Sequence, residues 1–288
     1  MKKLFKNIER GIARVKQYVK TKSILTKYAQ QSIVDSYKDV SVQSDLIGKS
    51  SPIWVCWWQG EEMMPEVVRV CYLSIKKHAC NHPVILITSS NQDEYLSIPE
   101  NVRRKYLEGK ISPTHYSDIA RMYLLKEYGG IWIDITNFLT QDIDDFIDVN
   151  LRYWTCRHIT TYNNVSRGLW TSFFSASGKG HLIPSYIYDS LIHWWTENDK
   201  IIDYLLMDYI FKIGYDQISS MKNEIEKVPL QPIGTLRKVL NKKFVEKEWE
   251  YYMQEASFHK LSYKKYTDKI TKKNEKTHYA YLIERYLS

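Results

Sequence analysis

From residue 53 onward, short continuous apolar runs alternate with longer segments whose apolar positions recur every three or four residues. IWVCWW (53–58) and PVILIT (83–88) read as buried strands, with Gly60 breaking the first. Between them MPEVVRVCYLSIKKHA (64–79) has helical spacing, with Pro65 suited to its first turn. SPTHYSDIARMYLLKEYGG (112–130) is a second helix, with Ser112 as candidate N-cap and the glycines at its C-terminus. IWIDIT (131–136) is the next strand. Strand, helix, strand, helix, strand predicts an α/β fold with a mostly parallel sheet covered by helices on both faces. Such sheets bind ligands at the carboxyl ends of their strands.

Flanking segments follow other patterns. Over residues 3–20, Ile8, Ile12, Val15 and Val19 form an apolar stripe extended by Leu4 and Phe5, opposed by Lys2, Lys3, Lys6, Arg10, Lys16 and Lys20. This amphipathic helix either docks on the domain or lies on an anionic membrane face. Later, RYWTCRH (152–158) reads as a strand, while HLIPSYIYDSLIHWWTEND and KIIDYLLMDYIFKI read as two helices. KKFVEKEWEYYMQEA is another helix or a strand pair. The pattern divides the chain into a basic N-terminal segment (1–48), one domain (49–265) and a basic tail (266–288).

Composition narrows the class. At 288 residues and 44% hydrophobic, the chain can bury a sizeable core. No apolar run approaches the ~20 residues of a membrane span, and MKKLFKNIERGIARVKQYVK lacks the features of a signal peptide. Cys56, Cys71, Cys80 and Cys156 show no paired spacing, which suits a reducing compartment. Zinc held by Cys80 and His82 is disfavoured, because no second ligand pair has finger-like spacing. Residues 1–40 carry ten Lys/Arg against three Asp/Glu and residues 237–288 carry thirteen against seven, within a formal net charge of +8. The centre is therefore net acidic, which argues against a nucleic-acid binder and for a phosphate- or membrane-facing periphery. With 23 tyrosines and 9 tryptophans, the chain is also well supplied with rings that stack on sugars.

One acid interrupts the greasiest strand: Asp134, near the carboxyl end of IWIDIT. In the preceding helix Asp118 and Arg121 are three apart and share a face. Alone they would read as a surface ion pair; beside Asp134 they offer an acceptor and a fork of donors at one sheet edge. Trp57, Trp58, Gln59 and Gly60 end the first strand at that edge, giving an aromatic plate and a turn. One tryptophan belongs to the core, since strand neighbours face opposite ways. Such a set suits a nucleotide sugar.

SDIARMYLLKEYGGIWIDIT resembles the S-D-x-x-R…Y-G-G-x-[YW]-x-D block of glycosyltransferases with a DXD sugar-binding region, nearest the capsular polysaccharide synthesis branch. IWVCWWQGEE and HKLSYK are also similar, so the likeness runs from 53 to about 265, with 112–140 its specific part. The resemblance implies a GT-A-type, Rossmann-like fold and transfer from a nucleotide diphosphate sugar, with a UDP-sugar the expected donor, with retention, to a saccharide acceptor. A lipid-linked acceptor at the inner membrane face of the cytoplasm would suit the basic ends. It implies Asp118 and Arg121 on donor hydroxyls, Asp134 on the ribose, the metal or both, and Trp57 or Trp58 on the base. His259 would complete a Mn²⁺ or Mg²⁺ site, with Lys260 and Lys264 on the diphosphate. Where the fuller motif has a second aspartate this chain has Thr136, a weaker ligand for a hard cation. That substitution motivates an alternative, a nucleotide-sugar-binding protein with little or no turnover. Asp142, Asp144 and Asp145 read as a solvated turn, Asp208 as a buried structural carboxylate, and His115 and His158 receive no role.

Overall fold

The structure is a computed structural model that describes residues 2–25, 31–160, 164–265 and 267–287. Within the first helix the side chains of residues 2–8, 10, 14, 17, 21 and 24 lie outside that description, including the predicted stripe members Leu4, Phe5 and Ile8 and the basic Lys2, Lys3, Lys6 and Arg10. In chain order the principal elements are α1 (Lys2–Leu25), α2 (Gln31–Tyr37), β1 (Ile53–Cys56), α3 (Glu66–Lys77), β2 (Val84–Ile87), α4 (Gln92–Tyr95), α5 (Glu100–Leu107), α6 (Pro113–Glu127), β3 (Gly130–Ile133), β4 (Asn137–Leu139), β5 (Tyr153–Thr155), β6 (Phe174–Ser177), α7 (Leu182–Glu197), α8 (Leu206–Gln217), α9 (Ser219–Lys227), α10 (Glu246–Glu255), β7 (Phe258–Lys260) and α11 (His278–Leu287).

The main sheet has the order β2-β1-β3-β6-β5. β1 runs parallel to both β2 and β3, whereas β6 is antiparallel to β3 and to β5, so β6 alone is reversed. This is a mixed α/β fold with a mostly parallel sheet between helical layers, as the alternating pattern predicts. Period-two alternation assigns the faces. Trp54 and Trp132 point into a core with α6, α7 and α8, while Ile53, Val55, Ile131 and Ile133 point into another with α3 and α11. Ser112 caps α6 by accepting from the His115 amide, and Pro113 occupies the first turn. Gly129 and Gly130 then turn α6 into β3 at φ +70° and +103°, conformations that a side chain would strain. A Cβ on Gly129 would meet the backbone of Lys179 and one on Gly130 that of Pro52, so both glycines also permit close approach.

Two flanking helices pack on the sheet domain. Tyr279, Leu282 and Ile283 of α11 are buried in the α3 core, because the helix hides an apolar face among basic neighbours. α1 is anchored on one side, where Tyr18 stacks on Tyr209 and donates to Asp216 at 3.0 Å, and Leu25 is buried. Its Ile12, Val15 and Val19 are 52%, 55% and 59% exposed. Among the described residues no helix is long and apolar enough to cross a membrane.

Candidate functional site

β3 ends at Ile133, and the chain turns at once so that Asn137 bonds back to the Asp134 carbonyl through its amide and its side chain, at 2.9 and 2.8 Å. This places Asp134 at the carboxyl edge of the sheet, beside the residues that leave the parallel neighbour β1. Asp134 lies two residues after Trp132, hence on the same face, and its Oδ1 accepts from Trp132 Nε1 at 2.9 Å. The same oxygen accepts from Arg121 Nη2 at 2.9 Å, while Oδ2 accepts from Lys260 Nζ at 2.8 Å. Burial alone would raise the Asp134 carboxyl, but the charges of Lys260 and Arg121 outweigh it and hold the group down to about 2.

Arg121 is the centre of the constellation. It is 5% exposed, its guanidinium lies 4.9 Å over the Trp132 ring, and its Nη1 sits 3.2 Å from Asp118 Oδ1. Helix α6 therefore delivers Asp118 and Arg121 on one face, as their spacing predicts, and aims them at Asp134. Asp118 behaves oppositely to Asp134. Burial raises its carboxyl to about 7, Asp134 and Asp208 add to the rise, and Arg121 only partly offsets it. Two carboxylates around one guanidinium thus differ widely in proton affinity, an arrangement common at ligand sites.

The aromatic ambiguity resolves by burial. Trp58 is core, 8% exposed, with its Nε1 donating to Ser117 Oγ at 2.9 Å and to the Pro113 carbonyl at 3.1 Å. Trp57 is half-buried, meets Tyr263 edge-on at 5.3 Å between centroids, and its Nε1 has no partner among the described residues. Of the two, Trp57 is therefore the less buried. Gln59 is exposed just beyond it, and Lys264 is exposed with its ammonium 5.5 Å over the Tyr263 ring.

His259 and Lys260 part company because they are neighbours in β7. The antiparallel register sets Asn137 against Lys260 and Phe138 against His259, so the two side chains leave opposite faces. Lys260 reaches Asp134. His259 is fully buried, its Nδ1 accepting from the Leu236 amide at 3.2 Å and its Nε2 bonded to the Tyr252 carbonyl at 2.7 Å. Burial lowers the imidazole to about 4, and Gly234 packs directly against the ring. Both nitrogens of the ring expected to serve a metal are thus engaged by backbone groups in this arrangement. Thr136 bonds through its carbonyl to the Leu261 amide, and Asp134 has both oxygens engaged by cationic or indole donors. Among the described residues no group of three His, Cys, Asp or Glu is arranged to hold a metal ion. In this arrangement the expected Mn²⁺ or Mg²⁺ does not fit the donor set.

A cavity of about 800 Å³ adjoins the cluster, with Lys260 on their shared wall. Asp208 lines it and accepts from Trp170 Nε1 at 3.0 Å; burial raises its carboxyl, with Trp170 and Arg121 acting against the rise. The polar wall includes Thr171, Ser172 and Gln231, and the exposed Arg237 and Lys238 also line it. Asp208, a buried carboxylate by sequence, and His158, a histidine with no role by sequence, both line this space. The signal in sequence for Asp208 is an acid on an apolar helix face; nothing local announces that residues 158–160, 164–173 and 230–238 would meet it. The W-x-D spacing of Trp132 and Asp134, by contrast, already put indole and carboxylate on one face. The acidic turn is held by histidines: His78 pairs with Asp142 at 2.8 Å, and His82 bonds to Asp144 at 3.0 Å and to the Ser51 carbonyl at 2.7 Å.

Among curated proteins, the chain is 28% identical over 102 residues to an O-glycosyltransferase, braB, of Annulohypoxylon truncatum. That match covers 32% of this chain and about a quarter (24%) of the relative's length. Among solved structures, a PaToxG glycosyltransferase aligns with 74% of this chain and 83% of its own at 15% identity and a TM-score of 0.46. A WbbM bifunctional glycosyltransferase aligns with 86% of this chain and 54% of its own, at 10% identity and a TM-score of 0.39. The family model described as "Capsular polysaccharide synthesis protein" matches residues 1–282, and the chain belongs to that family.

Proposed function

We propose that the chain is a glycosyltransferase of capsular polysaccharide synthesis, moving a sugar from a nucleotide diphosphate donor to a saccharide acceptor. The observation that carries the reading is Arg121, buried and shared between Asp118 and Asp134 at the carboxyl edge of the sheet, with the partly buried Trp57 just beyond the end of the neighbouring strand β1. Trp57 supplies a face for the base. Asp118 and Arg121 supply an acceptor and donors for sugar hydroxyls, and Lys260 supplies positive charge where a diphosphate leaves. A UDP-sugar and retention of anomeric configuration are the finer forms of this proposal, drawn from the sequence resemblance.

On the acceptor side, the cavity beyond Lys260 offers room for sugar rings, with Asp208 and neighbouring hydroxyl side chains as hydrogen-bond partners. The exposed Ile12, Val15 and Val19 flanked by Lys16 and Lys20 support peripheral docking of α1 on an anionic membrane, where a lipid-linked acceptor would lie. The inner face of the plasma membrane is the location this reading implies.

The test is a thermal-denaturation screen of UDP-, GDP- and dTDP-sugars, followed by measurement of nucleotide release. One donor class should raise Tm in the wild type and not in Arg121→Ala. Stabilisation without any release, whatever the acceptor supplied, would favour the binding-protein alternative; no stabilisation by any nucleotide sugar would overturn the proposal.

A further inference from the structure

The disagreement between the donor set and a divalent ion has a positive counterpart. A site that uses two carboxylates starts with excess negative charge and needs an added cation before it can accept a diphosphate. Here Thr136 is neutral, and Asp134 stands between two cations, Arg121 on Oδ1 and Lys260 on Oδ2, with Asp118 also on Arg121. Side-chain cations thus already offset the negative charge at Asp134.

We propose that Lys260 is the resident cation of this site, and that it engages a nucleoside diphosphate directly so that binding needs no metal ion. The inference rests on the donor-site reading given above. Three features fit Lys260 for the role. Its backbone is fixed by the pairing of β7 with β4, opposite Asn137, in the turn that presents Asp134. Its ammonium is held 5.0 Å over the Phe173 ring and 2.8 Å from Asp134, so little freedom remains to be lost on binding. The group still faces the cavity, which it helps to line. An ammonium has three donors, so contact with Asp134 leaves others for phosphate oxygens. Asp134 then acts as a positioning residue, orienting the lysine, with both of its oxygens already engaged by donors.

The experiment is isothermal titration of the full-length protein with UDP, GDP and CDP, each in excess EDTA and again in MnCl₂, with free Mn²⁺ followed by electron paramagnetic resonance. At least one diphosphate should bind with the same Kd, within twofold, in both buffers, and the protein should leave the Mn²⁺ signal unchanged. Lys260→Met should weaken that Kd at least tenfold in either buffer, and Lys260→Arg should restore part of the loss. The EDTA comparison on wild-type protein decides the question even if Lys260→Met fails to fold. Binding seen only with MnCl₂, or abolished by EDTA, overturns the metal-free role while leaving the donor site intact. Binding of no diphosphate in either buffer overturns the donor-site reading and this inference with it.

Discussion

Asp134→Asn is the sharpest perturbation the site allows. The substitution is nearly isosteric, yet it converts one acceptor oxygen into an NH₂ donor. That donor must face either Lys260 Nζ or the pair of Arg121 Nη2 and Trp132 Nε1, all donors themselves. The magnitude follows from the carboxyl's shift from its ordinary 3.8 to about 2. At about 1.4 kcal/mol per pKa unit, this corresponds to roughly 2–3 kcal/mol of stability. Because the folded-state value is depressed, that contribution is present above the unfolded value and is lost as pH falls through about 2. Burial pulls Lys260 the other way, toward its neutral amine despite Asp134, so the low end, about 2 kcal/mol, is the better figure for the pair. Urea denaturation at pH 7 of wild type, Asp134→Asn, Lys260→Met and the double variant measures this directly. The single carboxylate change should cost about 2 kcal/mol, and the double variant should be less damaged than the sum of the singles by about 1–2 kcal/mol. A single-variant cost under about 0.5 kcal/mol, or strict additivity, would refute the claim that Asp134 is committed to its cations.

Asp118 predicts a pH effect of opposite sign. Its folded-state carboxyl is raised to about 7, so its stabilising share is present below the unfolded value and lost as pH rises through 7. The Tm of Asp118→Asn minus that of wild type should therefore grow between pH 5 and pH 8.5, and a flat difference would contradict the assignment. Trp58→Ala should cost about 3–5 kcal/mol in thermal or chemical unfolding. Trp57→Ala should spare most stability and weaken nucleotide binding, and an equal Tm loss in both would reverse their roles. Ile12→Glu with Val19→Glu should release the protein from phosphatidylglycerol vesicles at moderate salt, since both side chains are more than half exposed. Unchanged co-sedimentation would mean that α1 does not meet lipid through this face.

What the sequence determined by itself was local or periodic. Alternating strand and helix patterns defined β1, α3, β2, α6 and β3, because burial on one face imposes a period that residues display in order. The same logic put Asp118 and Arg121 on one helical face and Trp132 and Asp134 on one strand face, and it required one of Trp57 and Trp58 to be core. The tertiary structure decided what depends on residues far apart in the chain. Lys260 meets Asp134 across 126 positions, through a three-residue pairing of β4 with β7 too short to announce itself. A strand's two-residue period, not the chemistry of the side chains, then sent Lys260 into the site and His259 into the core. α11 looked like a charged tail because its apolar face is legible only against the α3 surface that covers it. Asp208 and the cavity walls likewise come from segments separated in sequence, brought together by packing that no local pattern encodes.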